Sequence, residues 1–221
     1  MNTKPRVKIC CIRDIEEAQM AIRHGASAVG LVSKMPSGPG VIEEEVIVEI
    51  AASVPPGVAT FLLTSRQDAP SIIAQQRRTG VNTIQLVDSV SVETYEELRR
   101  SLPGVGIVQV IHILGNELIQ EAKTVAPFVN AVLLDSGNPM LAIKELGGTG
   151  RTHDWNISHR IREEVNVPVF LAGGLKPENV ADAIKQVRPY GLDACSGVRT
   201  NGKLDEGKLE KFFLQVATTS V

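Results

Sequence analysis

The amino-acid sequence predicts an α/β protein of one domain, residues 1–221, folded as a closed (β/α)8 barrel. Three observations predict it. First, short apolar runs alternate with segments of helical spacing, eight times over, from one end of the chain to the other. Second, the apolar runs are continuous rather than strictly alternating, as expected of parallel strands covered on both faces. Third, no composition shift or linker interrupts the chain, and eight such units in 221 residues fit a closed barrel better than an open doubly wound sheet. The open dinucleotide-binding sheet is the competing reading. It is weakened because the turn after the first run, Cys10-Cys11-Ile12-Arg13-Asp14, has no G-x-G-x-x-G.

Each element has its own signal. Val7–Ile12 is the first apolar run, and Asp14–His24 carries Ile15, Ala18 and Ile22 at helical spacing before Gly25 stops it. Ala26–Val32 is the second strand, followed by the Pro/Gly loop Pro36–Gly40 and a helix over Glu43–Ser53, closed by Pro55-Pro56-Gly57. Val58–Leu63 and Asn82–Val87 are the next strands, with helices over Ala69–Thr79 and Ser91–Leu102, where Ser91 and Thr94 suit a cap. Val105–Ile111 leads to a helix over Asn116–Val125. Asn130–Leu134 leads through a long glycine loop to a helix over Asn156–Val165. Val167–Leu171 precedes a helix over Pro177–Gln186, with proline placed early where its missing N–H costs nothing. Gly191–Cys195 is the eighth strand and Asp205–Val216 the last helix.

Bulk properties exclude several classes. The formal net charge is -2, which implies no nucleic-acid partner. No window approaches ~18 uninterrupted apolar residues, so no membrane span is expected. Met1–Arg6 is short and polar and lacks the apolar segment of a secretory signal. Three cysteines, with no C-x-x-C pair, make neither a disulfide framework nor a zinc pattern. The expected setting is the reducing cytoplasm, with a small-molecule partner, no metal or other cofactor, and a monomeric or homodimeric state.

In such a barrel the chemistry lies at the C-terminal ends of the strands. Strand six runs Leu133-Leu134 into Asp135, a candidate acid that could otherwise serve as a helix cap. Strand one ends at Cys10 and Cys11. Adjacent strand residues face opposite ways, so one of the two thiols points inward, and Cys10 is assigned as that residue. A carboxylate and a thiol on one bowl make a cofactor-free acid–base pair. Gly173 and Gly174 end strand seven, and Ser196 and Gly197 follow strand eight. These two loops commonly bind phosphate through backbone N–H groups and a small hydroxyl, and Gly148, Thr149 and Gly150 can close over them. Lys8, Gln85 and Lys34 are assigned as further substrate contacts. His112, His153 and His159 are read as bystanders, His159 as solvated on a helix. The segments Pro36–Gly40 and Pro139–Leu146 are expected to act as lids.

These residues form a pattern. Val7-Lys8-Ile9-Cys10, Leu133-Leu134-Asp135, Gly147–Gly150 with Asp154-Trp155, Leu171–Leu175 with Pro177–Val180, and Val187-Arg188-Pro189 through Ser196-Gly197-Val198 resemble the phosphoribosylanthranilate isomerase family, a family of single-domain TIM barrels. The resemblance runs the length of the chain and is densest after Leu133. It implies an Amadori rearrangement in tryptophan biosynthesis, with Asp135 as general acid on the furanose ring oxygen and Cys10 as base at C2′. Three positions depart from the family pattern. Cys11 stands where glycine is usual, and Pro36–Gly40 has no arginine to hold the anthranilate carboxylate, a role left to Lys34. Strand four ends Gln85-Leu86-Val87-Asp88 where Gln-Leu-His-Gly is common. The alternatives are a related sugar-phosphate isomerase with another substrate, or a non-catalytic phosphate-ligand-binding barrel.

Overall fold

Eight parallel strands pair in chain order and close on themselves in the computed structural model, which describes residues 4–220. They are β1 (Arg6–Ile9), β2 (Ala28–Val32), β3 (Ala59–Thr64), β4 (Thr83–Leu86), β5 (Gly106–His112), β6 (Ala131–Asp135), β7 (Val169–Leu171) and β8 (Gly191–Ala194). Pairing of Arg6 with Gly191 through Ile9 with Ala194 closes the cylinder. The helices are α1 (Ile15–Arg23), α2 (Glu44–Ser53), α3 (Ala69–Thr79), α4 (Val92–Ser101), α5 (Leu118–Val125), α6 (Trp155–Glu164), α7 (Val180–Val187) and α8 (Glu206–Thr218). The closed barrel expected from the sequence is therefore the observed fold. Residues 1–3 lie outside the described residues, and with them part of the reading of Met1–Arg6.

Five helices start on a side-chain cap. Asp14, Asp68, Ser91, Asp154 and Asp205 each accept a hydrogen bond from a first-turn backbone N–H, at 2.8 to 3.4 Å. Each such cap contributes about 1 kcal/mol. Because these caps all follow strands, they also fix the path of the βα loops at the C-terminal rim, where the candidate site lies.

Side chains on each strand alternate between two cores. Ile9, Val29, Leu62, Ile84, Val132, Leu134 and Leu192 face the helices. Cys10, Ala28, Phe61, Leu63, Val108, Leu133 and Phe170 fill the barrel. Both faces are apolar, which is why the sequence shows unbroken runs. A buried ion pair interrupts the inner face. Lys8 is fully buried, its Nζ 2.7 Å from Asp193 Oδ2 and 5.3 Å from the Phe61 ring centroid.

Several boundaries differ from the sequence reading. The first apolar run extends to Ile12, but β1 stops at Ile9, because Cys11 turns into the left-handed region at φ 62. Pro177 does not open a helix: residues 177–179 form a turn, with Asn179 Oδ1 accepting from the Lys176 N–H, and α7 begins at Val180. Between β8 and α8 lie a 3-10 turn over Ser196–Val198 and a small hairpin, β9 (Arg199–Thr200) with β10 (Lys203–Leu204), which the sequence reading leaves as a loop.

Candidate active site

Period-two geometry carries the inward face of each strand up to the rim. On β1 it runs from Lys8 to Cys10, on β6 from Leu133 to Asp135, and on β8 from Asp193 to Cys195. Cys10, Cys11, Gln85, Asp135 and Asp193 line one cavity of about 60 Å³ at this rim. The loop after β2 contributes Ser37, Gly38 and Pro39, and the loop after β6 contributes Leu146 to Gly150. The two loops touch. Ser37 Oγ donates to the Lys144 carbonyl, and Gly148 packs so close to Pro39 that a Cβ there would lie 2.4 Å from Pro39 Cδ.

Both thiols reach the cavity, so the expectation that only one faces inward does not hold. Cys10 is the inward residue of the strand. Cys11 leaves the strand in the left-handed conformation, which brings its sulfur back to the same side, 3.7 Å from the Pro39 carbonyl. For a residue with a Cβ that conformation costs about 1–2 kcal/mol. The two sulfurs are not equivalent. A hydrogen bond from the Cys11 thiol lowers the Cys10 pKa, burial opposes the change, and the Lys8 ammonium assists it. Cys11 is pushed up by the same bond, by Cys195 and by burial. Cys10 is thus the more acidic thiol of the pair. The ammonium beneath it is secure: burial would lower Lys8, but Asp193 and the neighbouring thiols raise it above its ordinary value. Asp193 is itself raised, by burial first and with Asp135 adding to it. The 2.7 Å contact favours the ion-paired form of this couple.

Asp135 is buried at the end of β6, its Oδ1 accepting the Ser136 N–H at 2.7 Å. Its Oδ2 lies against Gly147, where a Cβ would come within 2.8 Å. Gln85 faces the cavity from β4, and its buried Oε1 has no hydrogen-bond partner among the described residues.

The three glycine loops meet at one side of the cavity. Gly148, Gly150, Gly173 and Gly174 all have positive φ, between 61° and 80°, a region glycine enters without a Cβ penalty. A Cβ on Gly174 would fall 2.8 Å from the Gly150 carbonyl, and one on Gly150 would fall 3.4 Å from Ser196 Oγ. Among the described residues, the backbone N–H groups of Gly148, Thr149, Gly150, Gly173 and Gly174 donate to nothing. Such a set of unpartnered donors has the chemistry that suits an anion. Thr149 Oγ1 and Ser136 Oγ, 2.7 Å apart, brace the set. Gly197 plays a different part. It does not line the cavity, and a Cβ there would lie 2.0 Å from the Leu175 carbonyl, so its smallness lets the two loops pack.

Two assigned contacts, Lys8 and Lys34, need correction, as does the exposure expected of His159. Lys8 lies below the cavity and supports Cys10 from beneath. Lys34 is exposed and outside the cavity lining, because the chain turns outward there, with its carbonyl accepting from Ser65 Oγ at 3.4 Å. His159 is half-buried, not solvated, with Nδ1 buried. His153 stands behind the cradle, bonded through Nε2 to Ser158 Oγ at 2.7 Å, and burial holds its pKa down to about 4 against the pull of Asp135 and Asp154. Sequence reasoning also missed Asp193. Its signal was present: Lys8 and Asp193 are opposite charges within the apolar runs Val7–Ile12 and Gly191–Cys195, and a closed barrel makes those strands neighbours.

An acidified thiol and a carboxyl group on one small cavity, beside unpartnered backbone donors, can carry out proton transfer on an anionic ligand. Fold and site together define a barrel enzyme with its chemistry at the C-terminal rim. Comparison with known proteins narrows this. Residues 7–215 match the family model described as N-(5'phosphoribosyl)anthranilate (PRA) isomerase. N-(5'-phosphoribosyl)anthranilate isomerase 2 of Methanosarcina mazei is 39% identical over 209 residues, covering 94% of this chain and 92% of the relative. A phosphoribosyl anthranilate isomerase solved in complex with reduced 1-(o-carboxyphenylamino)-1-deoxyribulose 5-phosphate superposes with a TM-score of 0.78 at 27% identity, over 96% of this chain and 98% of that one. Monomers derived from the dimeric isomerase of Thermotoga maritima superpose equally, at 0.78 and 25% identity, with the same coverage. The chain belongs to the phosphoribosylanthranilate isomerase family. No helix among the described residues is long and apolar enough to cross a membrane.

Proposed function

We propose that this chain converts N-(5′-phosphoribosyl)anthranilate into its 1-deoxyribulose 5-phosphate isomer, an Amadori rearrangement of tryptophan biosynthesis. One observation supports it above the rest: Cys10 and Asp135 share a cavity whose wall is formed by free backbone N–H groups. The 5′-phosphate lies in the cradle of Gly148–Gly150, Gly173, Gly174 and Ser196. Asp135 protonates the furanose ring oxygen, and the ring opens to a Schiff base. The iminium acidifies the C2′–H bond, so a lowered thiol is a strong enough base. Cys10 removes that proton, and the enolamine tautomerises to product. Gln85, with its unpartnered Oε1, binds a substrate hydroxyl or the amine. The whole chain forms one barrel domain and works in the cytoplasm as a monomer or homodimer.

A second reading keeps the chemistry and changes the aryl end of the substrate. It is favoured by the loop after β2, where Pro36–Gly40 has no arginine and Lys34 is exposed and outside the cavity lining. Complementation of a host lacking the isomerase separates the two. Growth without tryptophan, with turnover of the purified protein on phosphoribosylanthranilate, supports the first. Failure of both, with inorganic phosphate or a ribose 5-phosphate still bound, leaves the second reading or the non-catalytic phosphate-ligand-binding barrel.

A further inference from the structure

The residue after the candidate base is held in a conformation that only glycine adopts freely. Cys11 sits at φ 62, and the structure around it must hold it there. A single buried guanidinium does so. Arg199 Nη2 donates to the Cys11 carbonyl at 2.6 Å and to the Cys10 carbonyl at 3.2 Å. Its Nη1 donates to Glu17 Oε1 at 2.9 Å and to the Gly202 carbonyl at 3.1 Å, and its Nη2 also reaches Glu17 Oε2 at 3.0 Å. Glu17 is tied in turn to the Leu204 N–H at 2.9 Å and the Arg13 N–H at 3.1 Å. One ion pair, with both side chains largely buried, therefore joins the end of β1, the start of α1 and the β9–β10 hairpin.

We infer that Arg199 and Glu17 are positioning residues for the proton transfer: by gripping the Cys10 and Cys11 carbonyls, they fix the thiolate in the cavity. The planar fork matters, because an ammonium has three donors and cannot reach the three carbonyls of Cys10, Cys11 and Gly202 and both Glu17 oxygens at once. Neither side chain needs to touch substrate. Arg199 closes the outer side of the turn, and Cys10 and Cys11 present their sulfurs on the inner side. This inference rests on the reading of Cys10 as the base. It adds the claim that the turn has to be held because residue 11 is not glycine.

The test is a cycle between Arg199→Gln and Cys11→Gly, with kcat measured on the alkaline plateau where Cys10 is ionised. Glycine at position 11 adopts the turn without help, so the two changes should be non-additive. Arg199→Gln in the native background should lower kcat about 30-fold and leave KM within about 3-fold, since misplacing a reacting group costs turnover rather than binding. In the Cys11→Gly background the same change should cost less than about 3-fold. Arg199→Lys should lose nearly as much as Arg199→Gln. Equal losses in both backgrounds, or a rise in KM with kcat unchanged, would overturn the inference. Glu17→Gln, which keeps the shape of the partner, provides a second variant if Arg199→Gln does not fold. It should show the same dependence on residue 11. The rate of Cys10 alkylation by iodoacetamide, followed by peptide mapping, is read in parallel and needs no substrate. If turnover proves independent of Cys10 while its alkylation still depends on Arg199, the base assignment fails and the clamp stands. If neither depends on Arg199, the clamp fails.

Discussion

Cys10 and Cys11 are adjacent in sequence and opposite in electrostatic role. In the proposed reaction the Cys10 thiolate abstracts the proton, so turnover should be lost as pH falls through the Cys10 pKa. The Cys11 thiol lowers that pKa, and Cys11→Ala removes the donor. The acid limb of the kcat profile should then move to higher pH, and an unmoved limb would show that Cys11 does not donate. His153 gives a stability test. Its folded pKa is about 4, below an ordinary value of about 6.5, so between the two the unfolded chain binds the extra proton. Stability should fall as pH drops from about 6.5 to about 4, by up to about 3 kcal/mol, and His153→Gln should flatten that slope in urea titrations. The burial of His153 could not be read from the sequence, since nothing local marks a loop histidine as covered. The facing of Cys11 was hidden for another reason. Strand alternation predicts it only while the strand continues, and β1 ends one residue too soon.

At the scale of elements, helix caps and strand runs were readable because each is a local decision. Ser91, named as a cap, caps α4 by accepting the Thr94 N–H, while Thr94 itself lies inside the helix; Asp14 and Asp205, each at the start of an expected helix, cap as well. The turn at residues 177–179 is held locally, by Asn179 Oδ1 on the Lys176 N–H, and escaped because the proline there suits a helix start equally well. The β9–β10 hairpin was set by tertiary contact, through the buried Glu17–Arg199 pair, whose two residues lie far apart in the chain. The glycine loops show how similar-looking residues divide their work. Gly174 has free N–H and positive φ, whereas Gly197 permits contact with the Leu175 carbonyl. Gly197→Ala would place a Cβ 2.0 Å from that backbone oxygen, so it should destabilise the fold by about 1–3 kcal/mol, measured by urea unfolding. A neutral result would mean that the loop yields freely and that the cradle is not rigidly built.

Closure of the barrel sets the whole-molecule design. Joining β1 to β8 brings Lys8 onto Asp193 and places a buried ammonium beneath the thiolate. The repeat count and continuous apolar runs were sufficient to predict the barrel, and strand order then brought Cys10, Asp135 and the glycine loops to one rim. The exact partners across that rim depend on register, which no local pattern records. Breaking the closing pair should be costly. Lys8→Met leaves Asp193 unpaired and should cost about 3–5 kcal/mol in denaturant unfolding, whereas Lys8→Met with Asp193→Leu should cost less. Equal costs would show that the pair contributes nothing beyond packing. The central claim is that one thiol and one carboxyl group on this rim perform the rearrangement. Its most direct measurement is kcat on phosphoribosylanthranilate for the unaltered chain, Cys10→Ser and Asp135→Asn, each with its KM. The account predicts that both variants lose at least about 100-fold in kcat while KM changes little. Turnover near the unaltered level in either variant would contradict it.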